Sequence, residues 1–488
     1  MNDDTNSLLL GSKHRHRHGR HAVVIGSGPN GLSAAIVLAE AGYGVEVHES
    51  QPTIGGGART LPLTLPGFLH DFGSAIHAMA VGSPFFSSLP LQQHGLEWIH
   101  PPAPLAHPLD DGTAVMLERD FSYAARAFGS DGDRWRRIFE PLAENWQHLA
   151  QEVLQPIIHL PRHPFLLARF GFPALMSAQA FAGRSFKSAR TRALFAGIAA
   201  HSFLPLDAPL SSSGGILLAT AAHAVGWPMA RGGAQSITNA LASILKDLGG
   251  CIHTKSLITC LDIFSRDSLF LCDVSPRQLV YITCHRLNPS FQQRLQNFVP
   301  GPGAFKVDYA LSEPIPWKAP DCRRAGTVHL GGTFDEVAAS EHAVATGKEP
   351  EHPFVLLTQP TLFDKTRAPE GKHIAWAYCH VPNGSSVDMT DRIEAQIERY
   401  APGFRDCILA RHISSPAKLE SMDANLLGGD ISGGAMTLWQ TIFRPTSRNY
   451  ATSDPNIFLC SASTPGLGGV HGMCGYQAAR AALNSSPS

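Results

Sequence analysis

No two of the nine cysteines form a Cys-X-X-Cys pair, and none clusters into the dense framework of a disulfide-stapled domain. That spacing excludes a dithiol redox centre beside the first helix and reads as reduced thiols in a cytoplasmic protein. No run approaches the ~20 uninterrupted apolar residues of a membrane-crossing helix. Lys and Arg number 39 against 40 Asp and Glu, a formal net charge of −1, so there is no basic footprint for nucleic acid. Neither a general acid–base dyad nor a metal-ligand cluster stands out, and the expected metal content is none. Low charge bias and abundant Gly and Pro instead suit a loop-rich globular protein.

The 488 residues suffice for two domains around a large core. Residues 1–20, with the run HRHRHGRH at 14–21, read as a disordered His/Arg-rich tail. Metal binding by the alternating histidines is the alternative there.

The chain is organised around residues 22–59. An apolar run, Ala22 to Ile25, leads straight into Gly26, Gly28 and Gly31, then a helical pattern through Ala41 and a second strand ending at Glu49. In such a strand–turn–helix unit the first glycine makes the turn, the second lets backbone approach a pyrophosphate, and the third lets helix pack on strand. Pro29 and Asn30 open the helix, whose free N–H groups suit phosphate. Val45, Val47 and Glu49 share a face, which puts the carboxylate at the strand end, near the ~20-residue spacing expected of a ribose-binding acid. A second turn, Gly55, Gly56 and Gly57 followed by Ala58 and Arg59, offers a cation to the same pyrophosphate and points to FAD rather than NAD.

The pattern VxVxExxxxxGGGAR resembles FAD-dependent amine oxidases, phytoene desaturases and their relatives. Three further stretches carry the resemblance: Phe68 to Gly73; Pro228 to Gly233 before a helix to Leu248; and STPGLGGVHGMCGY from Ser463. The last is similar to the phytoene-dehydrogenase-related branch. By resemblance, two glycines before the helix bring its N-terminus to cofactor or substrate. The C-terminal strand, Ile457 to Cys460, and a helix from Met473 aim a second N-terminus at the flavin, with Ser461, Gly469, Val470 and His471 beside it. Ser461 stands where many relatives carry an acid. His471 and Lys306 are the catalytic candidates, Lys306 by similarity to a strand lysine near the flavin. Cys474 raises a covalent flavin link, for which a small buried residue is the preferred explanation.

Elsewhere, residues 157–186 are apolar, broken by prolines and studded with Arg162, Arg169 and Arg184, which suits either packed helices or a tunnel mouth on an anionic membrane. Alternation of Phe305, Val307 and Tyr309 predicts a strand with Lys306 on its other face. Strands are also expected at 251–259, 354–360 and 374–382, and a helix at 389–400. Trp376, Tyr378 and His380 share one face, suiting a sheet core, with a pocket wall as the alternative.

The expected architecture is α/β: a discontinuous Rossmann-type FAD-binding domain (21–80, 215–300, 430–488) with an inserted α+β substrate domain (81–214, 301–429). The expected activity is FAD-dependent hydride removal from an apolar small molecule, as in desaturases, with electrons passing to oxygen or a quinone. An oxidase of amines or polar metabolites, and a flavin-holding interaction protein, are the alternatives. The expected location is cytoplasmic, with peripheral membrane contact left open.

Overall fold

The computed structural model describes residues 20–466 and 468–485. The His/Arg-rich segment through residue 19 lies outside the described residues. In chain order the framing elements begin with β1 (His21–Ile25), α1 (Pro29–Glu40), β2 (Gly44–His48), β3 (Ala103–Pro108), β4 (Ala114–Leu117), α2 (Pro164–Ala174) and α3 (Gln235–Asp247). They continue with β5 (Cys251–His253), β6 (Leu269–Cys272), β7 (Gly303–Leu311), β8 (Ala325–Leu330), β9 (Val355–Thr358) and β10 (His373–Val381). The last are β11 (Ile408–Ser414), β12 (Ile457–Leu459) and α4 (Met473–Ser485).

A five-stranded, all-parallel sheet has the order β12-β6-β1-β2-β5. Its inner strands read as continuous apolar runs because helices or loops cover both faces. A mixed seven-stranded sheet, of order β11-β7-β10-β9-β8-β3-β4, forms the second layer. Hydrophobic burial divides accordingly. Leu32, Ile36, Val45 and Val47 belong to the core around α1, whereas Val307, Tyr309, Val328 and Leu357 pack on one face of the larger sheet. The other face of that sheet, carrying Leu356, Trp376 and Tyr378, turns toward the cavity described below.

Two expectations change. Within 251–259 only Cys251–His253 pairs as a strand, and chain beyond it returns as loop. Cys260 and Cys284, which the spacing left scattered, are brought side by side by the fold. The pairing is invisible in sequence because 24 residues separate the two, whereas folding brings their Cα atoms to 6.1 Å. The other seven cysteines are free.

Helix α4 lies along α1, and the first turns of the two helices touch where Gly475 faces the Asn30 carbonyl. A methyl group has no room there, so Gly475→Ala should cost about 3 kcal/mol or more through overpacking. Urea unfolding of the purified protein measures it, and a cost below about 1 kcal/mol would contradict the packing.

Candidate functional site

The turn after β1 is shaped by the end of β6. Gly26 adopts φ +98°, a conformation glycine alone takes without strain. A methyl at Gly28 would come within 2.8 Å of Asp273 Oδ2, and the Gly31 amide donates to the same oxygen at 2.9 Å. The side chain missing at Gly28 leaves room for the Asp273 carboxylate, while the Gly28 backbone lines the cavity. Glu49 accepts from the Ser27 amide at 3.1 Å, the Ser27 hydroxyl at 2.7 Å and the Gln51 amide at 2.8 Å. These bonds fix the carboxylate at the mouth of the turn.

The second glycine turn docks on the first: a methyl at Gly56 would lie 3.2 Å from Gly28 Cα. Arg59 is buried, donating to the Gly56 carbonyl at 2.8 Å and the Met422 carbonyl at 2.7 Å, with its guanidinium over the Phe72 ring. Burial pulls its pKa down while Asp423 and Glu49 oppose the shift. Gly26, Gly28, Pro29, Asn30, Glu49, Gly56, Gly57, Ala58, Arg59, Ser461, Gly469 and Val470 all line one cavity of about 1040 Å³. Gly31 does not line it, because it is pressed against the Gly26 carbonyl inside the turn.

His471 also lies off the cavity wall. Its ring Nδ1 accepts the Met473 amide at 3.0 Å at the start of α4, and its carbonyl accepts from Ser83 Oγ at 2.6 Å. This is a support for the helix end, not the position of a base facing substrate. Burial pushes the Cys474 thiol up to about 12, so it stays protonated at neutral pH. The N-terminus of α3 is likewise closed by protein. Asp71 accepts from the Ala234 amide at 2.8 Å and Thr60 from the Gln235 amide at 3.1 Å, while Arg367 pairs with Asp71 at 2.9 Å. Gly233 packs against Thr60 and Asp71, the Gly232 amide donates to Asp364 at 2.7 Å, and neither glycine lines the cavity.

The larger sheet supplies the other wall. Lys306 on β7 is buried, lines the cavity, and pairs with Asp308 two residues along the same face. Burial pulls the Lys306 ammonium below its ordinary range, against the pull of Asp308. Trp376 lies 5.5 Å from the Lys306 nitrogen, and Trp376 and Tyr378 meet edge to face at 5.2 Å. Both line the cavity, so the β10 alternation makes a pocket wall in place of a plain sheet core. His380, on the same face, is set back: its Nδ1 bonds Glu341 at 2.7 Å and Phe203 covers its ring. Farther on the cavity turns apolar, with Ile157, Leu167, Phe170, Leu175, Leu210 and Leu217 in its wall.

Asp273 and Asp423 escaped the sequence reading, since nothing in their local sequence marks them; only the fold sets them beside Glu49. Burial pushes the Asp273 carboxyl up to about 7, with Asp423 and Glu49 adding to the shift and the Gly31 amide opposing it. An unfolded Asp releases its proton near pH 4, at about the ordinary value. Between about pH 4 and 7 the folded state thus holds the extra proton. The Asp273 contribution to stability should fall as pH rises through that window, by up to about 1.4 kcal/mol per unit, and level off above it, while buried histidines such as His70, His77 and His107, pulled down to about 4, contribute in the opposite sense. Urea unfolding across this range should show the native sequence losing stability relative to Asp273→Asn as pH rises from about 4 to 7, and a difference that does not change with pH would contradict the buried proton.

The cradle fits a dinucleotide: two glycine turns meet at a helix start, Arg59 is at hand, and Asn30 Oδ1 is buried without a partner at the cavity wall. A family model described as an NAD(P)-binding Rossmann-like domain matches residues 24–87. Pyridine nucleotide-disulfide oxidoreductase domain-containing protein 2 of Rattus norvegicus is 24% identical over 544 aligned residues, covering 94% of this chain and 92% of that protein. The 4,4'-diapolycopen-4-al dehydrogenase of Metabacillus indicus is 29% identical over 133 residues, 26% of each chain. Wild-type putrescine oxidase, solved with putrescine bound, shares the fold with TM-score 0.62 at 16% identity, covering 95% of this chain and 99% of its own. The similarity to the rat protein runs nearly end to end, and the fold shared with putrescine oxidase likewise spans nearly the whole chain.

Proposed function

We propose that this FAD-dependent oxidoreductase removes a hydride from a C–H bond of an apolar substrate, in the manner of a desaturase. The observation that carries the reading is the single cavity joining the glycine turns, through Lys306, to an apolar end beside α2. Bound FAD supplies the hydride acceptor. Ser27 and Gln51 hold Glu49 for a ribose hydroxyl, and Arg59 offers charge to the pyrophosphate. Lys306, with its proton loosened by burial and shared with Asp308, handles proton movement at the sheet wall. Trp376 and Tyr378 orient the substrate, while the aliphatic wall keeps water from the reacting bond. Electrons leave to oxygen or a quinone.

An oxidase of amines is the second reading, favoured by the right-angled aromatic pair next to Lys306. The apolar end weighs against it. So does the pairing of Asp308 with Lys306, which leaves that carboxylate no free charge for an ammonium.

Around the apolar end, Leu160 is 93% exposed, Phe165 91% and Phe172 74%, on a segment that also carries Arg162, Arg169 and Arg184. We read this face as a dock on an anionic lipid surface, from which substrate enters. Among the described residues no single helix is long and apolar enough to cross a membrane.

The purified protein should be yellow and release non-covalent FAD on denaturation, identified by mass. Anaerobic mixing with an isoprenoid hydrocarbon should bleach the flavin, and benzylamine should not. The reverse result would select the amine reading, and a protein that cannot take up FAD would end both. Replacing Phe165 and Phe172 together by Ser should weaken co-sedimentation with anionic vesicles on the order of tenfold or more. Unchanged sedimentation would remove the lipid dock.

A further inference from the structure

The cavity-facing side of the larger sheet carries a row of polar atoms with nothing to bond. Thr327 on β8 sits directly opposite Thr358 on β9, and Thr358 directly opposite Trp376 on β10. All three line the cavity and are more than nine-tenths buried. Thr327 Oγ1, Thr358 Oγ1 and Trp376 Nε1 each lack a hydrogen-bond partner. A buried polar atom left unpaired costs about 1–3 kcal/mol, and three in adjacent cross-strand positions form a strip, not a scatter. Directly opposed side chains are about 5 Å apart, so the strip runs roughly 10 Å across the sheet from the tryptophan that faces Lys306.

The chemistry of the strip selects its ligand. The indole N–H only donates, and each hydroxyl donates or accepts. None carries formal charge. The complement is a neutral oxygen, a carbonyl or hydroxyl, and not a carboxylate or an ammonium. Its position away from Lys306 separates that oxygen from the carbon that loses hydride. We infer that the substrate is an oxygenated apolar chain, and that Thr327, Thr358 and Trp376 form the subsite for its remote oxygen. This rests on the reading of the cavity as the substrate site, and it narrows the substrate from a plain hydrocarbon to an alcohol or ketone of one.

Binding of decan-1-ol, dec-1-ene and decylamine to the FAD-loaded protein, measured by calorimetry, tests the assignment without requiring turnover. Decanol should bind roughly tenfold tighter than decene, the worth of one to two hydrogen bonds, and tighter than decylamine. The Thr327→Val/Thr358→Val double variant keeps side-chain volume and removes two unpaired hydroxyls, so it should fold with equal or higher Tm. It should lose the preference for decanol while keeping its affinity for decene and its flavin content. Equal affinity for decanol and decene, a preference that survives in the double variant, tightest binding of decylamine, or no binding of any probe to flavin-loaded protein would each overturn the subsite. Because calorimetry needs no flavin signal, failure of FAD to load registers separately in the visible spectrum, as failure of the cofactor reading and not of the subsite.

Discussion

The distance at which the β1–α1 turn can lie against the end of β6 governs the dinucleotide end of this protein. Gly26, Gly28 and Gly31 each lack a Cβ because that atom would strike Asp273 or the turn itself. The Gly31 amide, one of the free donors of a helix start, is already taken by the Asp273 carboxylate. A carboxylate at that place sits in the positive field of the helix, yet it is buried and shares its surroundings with Glu49 and Asp423. The cradle therefore holds three acids with one buried arginine among them, and a pyrophosphate adds further negative charge. Burial and these neighbours push the Asp273 carboxyl up to about 7, which lessens the negative charge of the cradle.

The second constraint is the meeting of two sheets of different kinds. The parallel sheet ends in turns whose backbone can face phosphate. The mixed sheet offers a rigid wall on which cross-strand pairing sets side chains at fixed spacings. Lys306, Trp376, Tyr378, Thr358 and Thr327 are held in this way, on strands instead of loops. The hydride transfer proposed for this cavity demands little from the protein beyond orientation, a dry site and control of one proton. A stiff wall of aromatic and hydroxyl groups facing an aliphatic end meets those demands, and explains why no catalytic dyad announces itself in the chain.

Much of the frame was legible. The glycine spacing, the strand leading to Glu49 and the triple glycine before Arg59 are local patterns whose cause lies within forty residues, and Gly26, Gly28, Glu49, Gly56, Gly57 and Arg59 line one cavity. Lys306 was legible as a strand position by alternation, and its place at the wall followed from the resemblance. His471 and the glycines before α3 misled, because a glycine-rich approach to a helix start looks the same whether the helix end faces a ligand or a neighbouring side chain. Here Asp71, Thr60 and the His471 ring itself fill those ends.

By itself the sequence determined the dinucleotide turn, the acid that follows it, the second glycine turn and the faces of the principal strands, since each depends on backbone conformation and side-chain period over short stretches. Only the tertiary structure decided that Asp273 fills the space behind Gly28, that Cys260 meets Cys284, and that Thr327, Thr358 and Trp376 stand in a row with unpaired polar atoms. Those facts join residues tens to hundreds of positions apart through strand register and loop closure, and no local pattern records which distant strand will lie alongside.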